Sequence, residues 1–251
     1  MTETRVDPHV KILDAAVAAR AKARGIDVLV YAPHFTRLPD VRERAAAFTD
    51  DELLVVPARE VFTGSWRDRK HVLALGLEDP VPDFITLEGA FDEFERQGAT
   101  ALAPHPEFAT VSLGAEEFAR YGDRLAAGEV YNPKHWPWQN EAARAAVEAH
   151  DLPAFGSSYA HLRGTVGEVW TTFERDVADE ADLLAAFGEG APRRVEHRAG
   201  TRHRLRCRAE FFHLGYENSY KKVDRVLLSG MEATHPGHIA YDDRFEDVRV
   251  Y

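Results

Sequence analysis

Short apolar runs alternate along the chain with longer stretches whose apolar residues recur every three or four positions. Asp27–Tyr31, Leu53–Ala58, His71–Leu77, Thr100–Ala103, Glu129–Tyr131, Leu152–Phe155 and Glu168–Phe173 are rich in Val and Leu and bounded by Gly, Pro or Asp. That texture predicts strands, and Thr4–Val6 predicts a further one at the start. Between them, Ile12–Arg24, Val41–Phe48, Glu88–Gln97, Ala115–Ala127, Asn140–His150 and Glu180–Glu189 predict helices. In the first helix Leu13, Ala16, Val17 and Arg20 share a face, which suits packing on a sheet. Gly25 and Gly98 stand where a left-handed residue closes a helix. Thr86 stands where an N-cap is expected.

Repeated strand–helix alternation predicts a parallel α/β sheet, either a barrel or a doubly wound sheet at this length. No dinucleotide fingerprint or phosphate loop follows the first strand, which favours the barrel. From about Ala191 the texture changes. Pro192–Arg208 holds seven Arg and two His around an Ala-Gly pair, which predicts a hairpin or exposed arm. Spacing by twos would set Arg202, Arg204, Arg206 and Arg208 on one strand face. Glu210–Leu228 predicts a helix pair, and the tail from Ser229 predicts loop with a last short strand, Val248–Tyr251. The chain thus divides into a barrel, 1–190, and an Arg-rich hairpin with a helical appendage, 191–251.

Composition narrows the function. Apolar residues are 45% of the 251, ordinary for a packed domain, and the apolar runs are too short to span a bilayer. No secretory h-region opens the chain. The single Cys207 excludes an internal disulfide framework and a multi-Cys zinc site. These features predict a cytoplasmic protein without a membrane partner. The net charge of −11 disfavours non-specific nucleic-acid binding. Only the Arg cluster offers a face for RNA or a phosphorylated substrate, and the same face can simply pair with the abundant carboxylates.

Candidate chemistry lies at strand ends. His34 follows DVLVY, Glu60 follows LLVVPA, His105 follows TALA and His161 follows the Leu152–Phe155 strand. His71 opens the strand that pairs back after Glu60, and His9 closes the first. Residues at the carboxyl ends of parallel barrel strands converge on one face. Imidazoles with a carboxylate suit Zn²⁺ or Mn²⁺, and also Fe²⁺ or Mg²⁺. One or two such ions are expected as cofactors.

In order along the chain, seven short motifs resemble those of the polymerase-and-histidinol-phosphatase (PHP) family. They are Asp7-Pro8-His9-Val10-Lys11, Ala32-Pro33-His34, Ala58-Arg59-Glu60, His71-Val72-Leu73, Pro104-His105-Pro106, Glu129-Val130-Tyr131-Asn132 and Ser158-Tyr159-Ala160-His161. They correspond, in order over residues 5–175, to the family's D-x-H-x-H, T-D-H, G-x-E, H-V/I-L, A-H-P, E-x-Y-N and S-D-A-H. The resemblance implies a distorted (β/α)₇ TIM-like barrel, of an archaeal type, that hydrolyses phosphate esters with a metal-bound water. Family substrates include histidinol phosphate, nucleotides and DNA ends.

By position, the resemblance implies metal ligation by His9, His34, Glu60, His71, His105 and His161, with the trio Glu60, His71 and His105 intact. Three positions of the family's metal motifs are replaced: Lys11 stands for a His, Pro33 for the Asp of T-D-H and Tyr159 for a metal-binding Asp. Lys11 is a candidate to supply the charge of a missing cation, and Tyr159 a candidate proton donor. Asn132, His135 and Arg163 are candidates to hold the substrate, a small phosphorylated metabolite or nucleotide. The alternative is a catalytically inactive barrel that serves as a binding or RNA-associated subunit.

Overall fold

The computed structural model describes residues 3–65, 67–108, 111–216 and 232–250. Nine strands form one sheet: β1 (Thr4–Val10), β2 (Val28–Tyr31), β3 (Leu54–Thr63), β4 (Lys70–Leu75), β5 (Thr100–Ala103), β6 (Ala127–Tyr131), β7 (Ala154–Gly156), β8 (Val169–Phe173) and β9 (Arg193–His197). Their order across the sheet is β7-β6-β5-β4-β3-β2-β1-β8-β9. The pairs β1–β2, β2–β3, β5–β6 and β6–β7 are parallel. Strand β4 runs antiparallel to both neighbours, and β8 and β9 are antiparallel additions beside β1.

The sheet curls until its ends nearly meet. Gly156 on β7 and Thr171 on β8 exchange two hydrogen bonds of 3.0 Å through the Thr171 hydroxyl. A Cβ on Gly156 would lie 2.4 Å from the Val195 methyl on β9, so the absence of a side chain permits this close approach. The result is a barrel-shaped α/β sheet.

Helices α1 (Ala15–Ala23), α2 (Leu38–Ala46), α3 (Leu87–Arg96), α4 (Ala115–Tyr121), α5 (Pro137–Ala149) and α6 (Glu180–Gly188) join the strands, and α7 (Thr201–Tyr216) follows β9. Asp14 caps α1 through the Val17 amide, and Thr86 caps α3 through the Gly89 amide. Gly25 and Gly98 adopt φ of +70° and +67° just past α1 and α3, as helix closure requires. The packing of α5 on β6 is equally close: a Cβ on Gly128 would meet Val147 at 2.3 Å. No helix among the described residues is long and apolar enough to cross a membrane.

Two expectations fail. The helix expected over Ala115–Ala127 stops at Tyr121; one 3-10 turn follows, Gly122–Arg124, and Ala127 already belongs to β6. The Arg-rich hairpin is not formed: Arg193–His197 is a strand of the main sheet, and Arg202–Arg208 lies inside α7. On a helix, residues two apart point to different sides, so those Arg side chains share no single face. Glu168 decides the outcome. It is fully buried, and Arg24, Arg206 and His203 reach it at 2.5, 2.6 and 2.7 Å. His203 and Arg206 are three apart on α7, so a helix presents both to one carboxylate.

The rest of the expected helix pair, from 217 onward, and the start of the tail fall on residues 217–231, outside the described ones. Arg249 pairs with Ile85 in a single antiparallel bridge, and the Val250 amide donates to the Phe84 carbonyl at 2.9 Å.

Candidate metal centre

Strand alternation puts Asp7 and His9 on one face of β1, and Lys11 follows one residue past the strand. On β3, the same alternation carries Glu60 and Phe62 to one face. Phe62 pairs with His71 across the β3–β4 ladder, and the two rings stack at 3.8 Å with only 4° between their planes. His71 is thereby aimed beside Glu60. His34 stands in the turn after β2 and His105 just after β5, with φ of +34°. His161 and Tyr159 lie in the loop after β7, Tyr159 at φ +44°. Two non-glycine residues held in the left-handed region mark this rim as over-determined by its surroundings.

Glu60 is the hub, and it is entirely buried. Its Oε1 lies 2.8 Å from His105 Nε2, 3.4 Å from His71 Nδ1 and 3.8 Å from His9 Nε2. Its Oε2 lies 2.5 Å from Lys11 Nζ and 2.8 Å from His34 Nε2. Lys11 also donates to the Ala32 carbonyl at 2.6 Å. Ligand atoms of Glu60, His71 and His105 all fall within 4.8 Å of one another.

Electrostatics prepare the group. Burial alone would raise the Glu60 carboxyl, but Lys11 and the imidazoles of His71 and His9 override it and hold it well below the ordinary range. Burial, reinforced by Lys11, depresses His9 and His34 far below the usual imidazole value. Burial brings His71 down to about 4. At neutral pH these are an ionised carboxylate and uncharged imidazoles, the forms that ligate metals.

The residues fit a divalent ion. Among the described residues, both ring nitrogens of His9 and of His71 are buried without a hydrogen-bond partner, an arrangement that costs free energy unless something else satisfies them. His105 has the outer support typical of a ligand: its Nδ1 lies 2.9 Å from Ser112 Oγ. Its backbone amide donates to Glu129 Oε2 at 2.7 Å.

Beyond the hub lies a second charged group. Lys134 is 2% exposed; its ammonium contacts His161 Nδ1, lies 3.4 Å from Glu210 Oε2, and sits 4.0 Å above the Tyr159 ring. Glu210, from α7, accepts from the His161 and Leu162 amides at 3.0 and 2.8 Å and from the Thr165 hydroxyl. The Tyr159 ring packs between His9, His105 and His161, with centroids 4.7, 5.0 and 4.9 Å away. Neither Lys134 nor Glu210 was singled out from sequence. Lys134 carried a faint signal, as one of only six Lys in a chain whose other 25 basic residues are Arg.

The three residues expected to hold substrate fare differently. Asn132 is a brace: its Nδ2 donates to Glu129 at 3.1 Å and its Oδ1 accepts the Lys134 amide at 3.0 Å. His135 stacks on Phe108 at 4.7 Å, and burial takes its imidazole down to about 3. Arg163 is exposed and turns to Asp14, at 2.7 Å. Asp7 of the opening motif is likewise a brace, accepting the Ser158 and Gly167 amides at 2.9 and 3.0 Å. His235 and His238 accept the amides of Gly237 and Ala240, both at 3.1 Å, and so cap turns.

A family model described as PHP-associated matches residues 137–192, a stretch that includes Tyr159 and His161 but precedes α7 and follows the Glu60 trio. No curated protein matches the sequence. Among solved structures, PsfC from Pseudomonas syringae PB-5123 superposes with a TM-score of 0.62 at 19% identity, covering 85% of this chain and all of that one. The lesion-specific endonuclease PfuEndoQ from Pyrococcus furiosus gives 0.56 at 14% identity, over 77% of this chain but only 58% of the endonuclease. A protein of Bifidobacterium adolescentis named as a metal-dependent phosphoesterase gives 0.50 at 12% identity, over 73% of this chain and 96% of its own. In fold, and in sequence over residues 137–192, the chain is similar to the PHP-domain proteins and carries their TIM-like barrel.

Proposed function

We propose that this barrel is a metal-dependent hydrolase of phosphate esters, acting on a small phosphorylated metabolite or nucleotide. One observation carries the reading: Glu60, His71 and His105 converge with ligand atoms within 4.8 Å in a buried mouth. Glu60, His71, His105 and His9 would hold the ion. When bound, a divalent cation acts as a Lewis acid that polarises a phosphoryl oxygen and lowers the pKa of water.

The chain's own residues supply the rest. Lys11 anchors Glu60 Oε2 so that Oε1 faces the imidazoles. Lys134, held by Glu210 and the Tyr159 face, puts a second positive charge at the mouth, where a phosphate oxygen gains from it. Tyr159 lines the same space, its ring packed against His9, His105 and His161. Burial keeps competing water from the charges and strengthens each of them. The structural neighbours named for phosphoester chemistry support this reading; a nucleic-acid substrate is a second class that the endonuclease likeness brings in.

The test is release of nitrophenol from p-nitrophenyl phosphate by protein purified without chelator, with Mn²⁺ or Zn²⁺ added. Metal-dependent turnover that disappears in Glu60→Gln is expected. Folded protein that takes up no divalent ion overturns the reading.

A further inference from the structure

We infer that this mouth holds a single divalent cation, and that two neighbouring cation positions are filled permanently by the ammonium groups of Lys11 and Lys134. The inference rests on the metal-dependent reading above. The two oxygens of Glu60 have different company. Oε1 faces His105, His71 and His9, whereas Oε2 is held by Lys11 Nζ at 2.5 Å. A carboxylate bridging two metals would offer one oxygen to each; here one of the two oxygens already carries a fixed positive charge. A second ion at Oε2 would sit against the Lys11 ammonium in a buried site, where like charges repel with little screening.

Around Glu60, the ring nitrogens that lack a hydrogen-bond partner among the described residues are distributed to match. Those of His9 and His71, all buried, lie on the Oε1 side. His34, on the Oε2 side, has its Nε2 2.8 Å from the oxygen that Lys11 also holds. Across the mouth, His161 and Glu210 would be a reasonable ligand pair by chemistry, and His161 Nε2 and Glu210 Oε2 also lack hydrogen-bond partners among the described residues, yet Lys134 is already against both side chains. Tyr159 completes the exchange: where the resembling motif has a carboxylate, this chain has an aromatic face 4.0 Å from Lys134 and 5.5 Å from Lys11. A ring face suits an ammonium and is a poor ligand for a hard divalent ion. Lys11 and Tyr159, at two of the substituted positions, and Lys134 against the same ring thus form one unit that sets two built-in charges beside the Oε1 site.

Equilibrium dialysis of the full chain against Mn²⁺, read by metal analysis and electron paramagnetic resonance, tests this without relying on turnover. One Mn²⁺ per chain with the six-line spectrum of an isolated ion is expected. Two or more ions, or an exchange-coupled spectrum, would overturn the inference while leaving the hydrolase reading standing. No bound Mn²⁺ in folded protein would overturn both. Lys11→His is expected to take up a second ion, and retention of only one overturns the role given to Lys11. Should that variant fail to fold, two others decide. His105→Ala should weaken Mn²⁺ binding by at least about tenfold, whereas His34→Ala should retain its affinity; the reverse order overturns the assignment.

Discussion

On one side of the barrel mouth, three imidazoles gather around Glu60 Oε1, and both ring nitrogens of His9 and His71 lack a hydrogen-bond partner among the described residues. On the other side, the Lys134 ammonium already lies against His161, Glu210 and the Tyr159 ring face, while His161 Nε2 and Glu210 Oε2 also lack a hydrogen-bond partner among the described residues. Both sides are buried, and both carry charge. The first gathers imidazoles around one carboxylate oxygen, whereas the second is already centred on an ammonium, that of Lys134. Neither burial nor a missing hydrogen bond therefore marks a ligand site by itself; the distinguishing mark is whether a fixed positive charge already stands among the buried groups.

Removing the hub should blur this contrast most. Glu60→Ala leaves the Lys11 ammonium buried without its carboxylate, and a loss of about 3–5 kcal/mol is expected. Denaturant melts would register it, with metal uptake abolished in the same protein. Ser112→Ala touches only the outer support of His105; metal affinity should fall about 10–100-fold with the fold unchanged, measured by competition with a chelating dye.

Acid should separate the two sides. Glu168, which ties α7 to the barrel, would be raised by burial, but His203, Arg24 and Arg206 hold it down to about 2 against an ordinary 4.5. A depressed carboxyl contributes its stabilisation fully above 4.5, and the contribution is lost as pH falls toward 2. Protection of the α7 amides, relative to their unstructured exchange rate at the same pH, should therefore fall across that interval, and Glu168→Gln should remove the dependence. Smallest of all is Tyr159→Phe, which keeps the ring face toward Lys134. Stability and turnover should hardly change; a fall of about 100-fold or more would assign the phenol as the proton donor.

The strands and most helices were legible because apolar periodicity and punctuation by Gly, Pro and Asp are local. The β7–β9 approach was not, since it depends on Gly156 meeting Val195 across the barrel. Arg202–Arg208 was misread because alternating Arg and other residues fit a strand locally, while the buried Glu168 that fixes a helix lies more than thirty residues earlier. In the site, the ligand-type residues announced themselves by position at strand ends. Lys134 and Glu210 did not: nothing local says that a loop lysine and a late-helix glutamate will meet beneath a tyrosine. Asn132 and Arg163 were read as reaching substrate; in the fold Asn132 braces its own loop and also lines a cavity with His135, and Arg163 joins the turn after His161 to the cap of α1.

Closure at Gly156 has a bearing on how the protein is made. The strand that seals the seam and the helix that delivers Glu210 are both encoded after every imidazole of the hub. A nascent chain on the ribosome can therefore have all its ligands outside the exit tunnel while the sheet still has an unsealed edge. Until that late segment emerges, the exposed strand is open to chaperones or to a second growing chain.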